Sequence, residues 1–160
     1  MVRWAGFGKL SLMAALTRIL LLEASDEEWQ SALMGFADAG LLEQAAVVKD
    51  KSEALDFLLA KGAFRNRAPG YPAVVVVGPN GTSKGANATV REIRSYPALR
   101  KIPLVVIAAE RDPDFIRNLY VEGVNSVVIR RNHASALPRM YGALGRFWAQ
   151  ANEPPPGCIG

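Results

Sequence analysis

Chemistry at the end of a strand needs a nucleophile, an acid or a base. The loop leaving Val74-Val75-Val76-Val77 reads Gly78-Pro79-Asn80-Gly81-Thr82-Ser83-Lys84-Gly85 and contains no acid. A buried parallel strand delivers its C-terminal side chain into the crevice where α/β proteins hold their ligands. At Gly78 that side chain is a hydrogen. The same loop nearly spells a phosphate-cradling P-loop, but Ser83 stands where a second glycine should let the backbone approach phosphate, and Gly85 where a hydroxyl should ligate Mg²⁺. The next apolar run ends Ile107-Ala108-Ala109 without the aspartate that would complete such a site. A nucleotide-binding or NTPase use of Gly78 to Gly85 is therefore the weaker alternative to a glycine-rich turn. Thr82 and Ser83 are sites where modification is permitted and nothing demands it.

The remaining reactive residues are isolated. His133 is the single histidine and Cys158 the single cysteine, so spacing supports no Ser-His-Asp triad, zinc site or internal disulfide. Asp26-Glu27-Glu28 and Glu110-Arg111-Asp112 sit at helix starts, where acids favour the helix dipole. Arg65, Arg67, Arg91, Arg94, Arg100 and Lys101 could form a basic rim, yet no helix-turn-helix, stacking motif or zinc spacing accompanies them. No nucleic acid is expected as a partner.

The elements that position these residues alternate. Ile19-Leu20-Leu21-Leu22 reads as a strand, and Ser25 with Glu28 three residues on reads as a capping box opening a helix with Trp29, Leu33, Phe36 and Ala37 on one face. Gly40 ends that helix. Ala45-Ala46-Val47-Val48 is a second strand, and Asp50 with Glu53 caps a helix through Leu55, Leu58 and Leu59. The valine strand follows an Arg-, Pro- and Gly-rich loop, and the helix after Gly85 carries Val90 and Ile93, with Leu99 beyond Pro97. Leu104-Val105-Val106-Ile107 is the fourth strand. Asp112-Pro113 then starts a helix whose buried stripe is Ile116, Leu119 and Tyr120. Val127-Val128-Ile129 is the fifth strand, and the last helix holds Leu137, Met140, Tyr141, Leu144, Phe147 and Trp148 at helical spacing. Parallel strands need helical crossovers, so the pattern predicts a doubly wound α/β sandwich with five parallel strands and five helices.

Bulk composition agrees with one such domain. A chain of 160 residues can bury a core without metals or disulfides, and 50% hydrophobic with 21% charged residues is globular composition. The net charge of +4 is too small for a dedicated nucleic-acid binder. No uncharged apolar stretch reaches the roughly 18 residues of a membrane span, and the lone cysteine suits a reducing cytoplasm. Residues 1–16 read as a flexible N-terminal extension in which Met13 would serve as an initiator as well as Met1. Residues 17–150 form the domain and 151–160 a Pro-rich tail.

Several stretches in this order and spacing resemble the receiver domains of two-component response regulators. They are Ile19-Leu20-Leu21-Leu22-Glu23, Glu53-Ala54-Leu55-Asp56-Phe57-Leu58, Arg91-Glu92-Ile93-Arg94, Pro97 to Pro103, Glu122-Gly123-Val124-Asn125 and Gly145-Arg146-Phe147-Trp148. The similarity runs from about Thr17 to Ala149 and is strongest toward the single-domain, CheY-like receivers associated with bacterial phytochromes. It implies a flavodoxin-like sheet of order 2-1-3-4-5. It also implies a phosphoacceptor aspartate after the third strand, with Mg²⁺ held by that aspartate and an acidic pair after the first. By position Glu23 matches the first acid, while Ala24 falls on the second, Gly78 on the phosphoacceptor and Ala108 on the hydroxyl residue that senses the phosphoryl group. Arg130 takes the place of the family's lysine, Arg131 that of the proline after it, and Val127 that of the aromatic switch residue.

Glycine supplies no nucleophile, and one glutamate is a poor anchor for an octahedral ion. The chain is thus expected to be a pseudo-receiver: not an enzyme, without metal or cofactor, binding proteins independently of phosphorylation. Arg130 is expected to pair with Glu23 in the place of the metal. The expected partner is a sensor histidine kinase, for example one of phytochrome type, or another two-component protein. The resemblance further implies a homodimer through the fourth helix, fifth strand and fifth helix, for which Ile116, Tyr120, Val128, Tyr141, Phe147 and Trp148 are the candidates.

Overall fold

Charge-free apolar runs become the parallel strands β1 (Ile19–Leu22), β2 (Ala45–Val48), β3 (Val74–Val77), β4 (Leu104–Ala108) and β5 (Ser126–Ile129). The computed structural model describes residues 16–79 and 85–159, and the backbone of Arg3–Trp4. The parallel strands lie in the order β2-β1-β3-β4-β5, the expected 2-1-3-4-5 arrangement. Arg3–Trp4, within the stretch read as an extension, pairs antiparallel with Val47 and Ala46 on the outer edge of β2. The start sites Met1 and Met13 and the loop residues Asn80 to Lys84, including Thr82 and Ser83, lie outside the described residues.

Between the strands run α1 (Asp26–Asp38), α2 (Lys51–Leu58), α3 (Ala86–Ser95), α4 (Pro113–Val121) and α5 (Leu137–Gly145). The strand period of two divides each β-strand between two cores. Leu20, Val75, Val77 and Leu104 meet Phe57, Ile93 and Leu119 from α2, α3 and α4. Ile19, Leu21, Val76 and Ile107 meet Phe36, Tyr141 and Leu144 from α1 and α5. Strands β1 to β4 are wholly buried, whereas every residue of β5, the edge strand, is half-buried.

Helices α1 and α5 approach at backbone distance. A Cβ on Gly35 would overlap the Pro138 carbonyl and stand 2.7 Å from the Gly142 nitrogen. Past Gly145 the last helix widens into a π-helical turn, Arg146–Ala151, which buries Ala149 and turns Phe147 outward.

Two readings of the stripes need correction. Ala37 faces solvent, and the inward face of α1 carries Glu28, Ala32, Gly35 and Phe36. Tyr120 is 50% exposed rather than part of a buried stripe; its hydroxyl leans over β5 and accepts from the Val127 N–H at 3.3 Å. The last residues are docked: Tyr71 N–H donates to Gly157 O at 3.1 Å, Ile159 N–H to Tyr71 O at 2.7 Å, and Lys101 Nζ to Pro156 O at 3.0 Å. Cys158 is half-buried there, and burial pushes its thiol pKa up.

The basic rim is largely structural. Arg94 donates to the carbonyls of Leu99, Arg100, Ile102 and Gly123 and to Asn125 Oδ1, tying α3 to the strand-entry loops. Arg67 serves the Phe57, Leu58, Ala68 and Gly70 carbonyls and lies over the Phe57 ring. Burial holds both guanidinium pKa values below the ordinary arginine range. Arg91 makes a fork with Glu122.

Candidate functional site

The C-terminal ends of β1, β3 and β4 converge on the crevice that the doubly wound topology reserves for ligands. Glu23 follows β1 and is 3% exposed, with Oε1 accepting from the Ser25 N–H at 2.8 Å. Gly78 follows β3, its N–H donating to Leu22 O at 2.8 Å. A Cβ built on Gly78 would overlap Glu23 Oε2 and lie 3.0 Å from the Leu22 carbonyl. The glutamate therefore fills the volume that a longer residue at position 78 would need. The absence of a side chain and the position of its neighbour are one arrangement.

Beside Gly78 a cleft of about 230 Å³ is lined by Pro79, Ala86, Ala108, Ala109, Glu110, Asp112 and Phe115. Asp112 is engaged as the cap of α4, accepting from the Asp114 and Phe115 N–H groups at 3.0 and 3.2 Å. Ala108 is buried and offers no hydroxyl; Ala24 is exposed and faces a separate small hollow with Asp26 and Trp29.

Mg²⁺ demands near-octahedral oxygen ligands with one or two carboxylates besides phosphate. Among the described residues no three His, Cys, Asp or Glu side chains group to hold a metal. Glu23 has one oxygen committed to Ser25 and the other against Gly78, so the residues present do not fit the family's ion.

Arg130 does not pair with Glu23. Its Nε donates to Glu28 Oε2 at 2.9 Å, and the Tyr141 hydroxyl donates to Glu28 Oε1 at 2.9 Å. Glu28 is 1% exposed, sealed between the first turn of α1, the end of β5 and α5. The physical reason lies in the inward face of α1: Glu28 stands four residues before Ala32 and eight before Phe36, so its side chain points at α5 rather than back along the chain. Ser25 still caps the helix, its Oγ accepting from the Glu28 N–H at 3.4 Å, but the reciprocal half of the expected capping box is made by Glu23. The Tyr141 ring packs edge-to-face on Phe36 with centroids 5.9 Å apart. Burial, and then the adjacent Glu28 carboxylate, raise the Tyr141 pKa far above the ordinary phenol value.

The six candidates for pairing separate. Tyr141 is fully buried and cannot meet a second molecule. Ile116, Val128 and Trp148 are half-buried, and Tyr120 and Phe147 are exposed; Phe147 and Trp148 stack edge-to-face at 5.1 Å. Val127 is half-buried. His133 is exposed at the start of a 3₁₀ turn and makes no capping bond with its side chain. Sequence reasoning named Glu28 as a cap and Tyr141 as a pairing candidate but missed their contact with each other and with Arg130, for which the available signal was a glutamate in register with an apolar stripe.

No family model matches the chain. It is 23% identical over 132 residues, spanning 82% of this chain and 88% of the relative, to response regulator Rcp1 of Synechocystis sp.. Among solved structures, the bacteriophytochrome response regulator RtBRR is 31% identical, with 89% of this chain and 86% of that one covered and a TM-score of 0.66. The phosphorylated cyanobacterial phytochrome response regulator RcpA matches with a TM-score of 0.77 at 24% identity, covering 88% and 99% of the two chains.

Proposed function

Since the chain belongs to the response regulator receiver family of two-component signalling, we propose that it serves that signalling as a degenerate receiver, binding protein partners without accepting a phosphoryl group. One observation carries the reading: the acceptor position is Gly78, and Glu23 occupies the space into which an acceptor side chain would project. Ala24, Ala108 and Arg130 extend the argument, because the second acid, the sensing hydroxyl and the lysine are absent as well. RcpA, by contrast, is a relative seen phosphorylated. The chain is on this reading not an enzyme. Its partner is a sensor histidine kinase, of phytochrome type on the strength of the relatives, or another two-component protein, met in the cytoplasm.

Incubation with acetyl phosphate and Mg²⁺ tests this directly. Intact-mass spectrometry should show no phosphoryl adduct, with an aspartate-bearing receiver labelled in parallel; an adduct on this chain would overturn the proposal. Turnover of ATP would favour the alternative use of the Gly78 to Gly85 loop. Self-association is the competing use of the α4–β5–α5 face, supported by the exposure of Tyr120 and Phe147. Light scattering across a concentration series reads it out, a concentration-independent monomer counting against it.

A further inference from the structure

Both edges of the sheet are closed from within the chain, by different means. At β5 the Val127 N–H donates to the Tyr120 hydroxyl of α4 at 3.3 Å. At the opposite edge the cover is backbone, with Arg3 and Trp4 lying antiparallel across Val47 and Ala46. Two residues cover a strand of four.

Beneath that cover β2 carries none of the charges or prolines that sheets set on an open edge to keep other strands away. Ala45, Ala46, Val47 and Val48 are at most 3% exposed, because each packs into one of the two cores. The outer side of β2 therefore offers backbone N–H and C=O groups and little else. Their complement is another extended backbone. A ladder of two residues is short against the roughly 3–10 of an ordinary strand, so it opens at lower free energy than the central strands.

We infer that the outer edge of β2 is a strand-addition site that this chain keeps covered with Arg3–Trp4, and that β2 of a second copy pairs there when the cover is lifted. The inference stands apart from the degenerate-receiver reading, since it involves neither Gly78 nor Glu23. Self-complementarity selects the occupant. With Val47 on a two-fold axis, antiparallel pairing sets Ala46 opposite Val48 and Ala45 opposite Lys49, so no like charges meet along the strand and one sheet runs through both copies. Arg3–Trp4 already runs antiparallel to β2, the direction that such a pair requires. The same backbone groups cannot serve both, so cover and dimer exclude each other.

The test compares the full chain with a variant beginning at Met13 and with R3P/W4P, in which proline removes both N–H groups from the ladder. Circular dichroism checks that each is folded, and R3P/W4P, which keeps the chain length, decides the matter if the shorter variant does not fold. Light scattering across a concentration series should show both variants associating at least about tenfold more tightly than the parent. Adding F147A, at the other edge beside β5, should leave that association unchanged. Hydrogen exchange read on residues 45–48 locates the contact: in dilute solution it should be at least about tenfold faster in either variant than in the parent, and it should slow again as the dimer forms. Variants as monomeric as the parent, association abolished by F147A, or exchange at 45–48 that ignores concentration would each overturn the inference. Protection in the parent that is lost on dilution would overturn it too, by showing that Arg3–Trp4 covers a neighbouring copy instead of its own.

Discussion

Glu23 and Glu28 follow the same strand, lie on either side of the same helix cap and are 3% and 1% exposed, yet they do opposite work. Glu23 stands at the mouth of the sheet against Gly78, where among the described residues no three metal-ligating side chains group. Glu28 is enclosed by an arginine and a tyrosine that satisfy both of its oxygens. A buried carboxylate is tolerated only with partners, and what it does depends on which partners are supplied. In this chain Arg130 pairs with Glu28 on the α1–α5 side of the sandwich rather than with Glu23 at the mouth.

The contrast is broken most sharply at Glu28. Substitution E28A would strand the Arg130 guanidinium, whose side chain is only 25% exposed, and leave the Tyr141 hydroxyl inside the core. Removing one member of a buried pair costs about 3 kcal/mol or more, the partial exposure of Arg130 favouring the low end. Urea denaturation of E28A against the parent measures it, and a loss under about 1 kcal/mol would mean that the network is ornamental. A smaller effect is expected at the mouth. The change G78D must displace the Glu23 carboxylate and crowd the Leu22 carbonyl, an overpacking cost of about 1–3 kcal/mol. It should also gain no phosphoryl adduct from acetyl phosphate, since Ala24 and Ala108 still provide neither second acid nor hydroxyl. An adduct on G78D would show the mouth to be one residue from reaction and erase the difference drawn between the two glutamates.

The strands were legible because short continuous apolar runs can bury both faces of a parallel sheet, and each stands between the turn and cap residues that start and stop the helices. Gly78, Ala24 and Ala108 were legible as absences, which need no geometry. The partner of Arg130 was not. Sequence places Arg130 at a strand end and offers Glu23 as its partner, since Glu28 reads as half of a capping box, and only the rotation of α1 brings Glu28 to the arginine instead. Tyr141 illustrates the same limit: helical spacing marks it as apolar-facing, but its burial follows from Gly35 and Gly142 drawing α1 and α5 together at backbone distance. The docking of the tail on Tyr71 had no signal in composition, because Pro-rich ends read alike whether free or fixed.

The finest test of the comparison separates the tyrosine from the glutamate it serves. Y141F removes one donor to a buried carboxylate that keeps Arg130, so a loss of about 1–2 kcal/mol is expected at neutral pH. Burial and the Glu28 charge raise the Tyr141 pKa in the folded chain, which fixes the sign of its pH dependence. Below about pH 10 the tyrosine is protonated in both states and its contribution is complete. Above that pH the unfolded chain releases the proton while the folded chain retains it, so stability falls by roughly 1.4 kcal/mol per pH unit from this group alone. Phenylalanine has no such slope. Urea titrations at neutral and alkaline pH should therefore show the parent ahead of Y141F near pH 7 and the gap closing within about a pH unit above 10. A gap that stays constant across that range would mean that Tyr141 ionises freely, and that Glu28 is no more enclosed than Glu23.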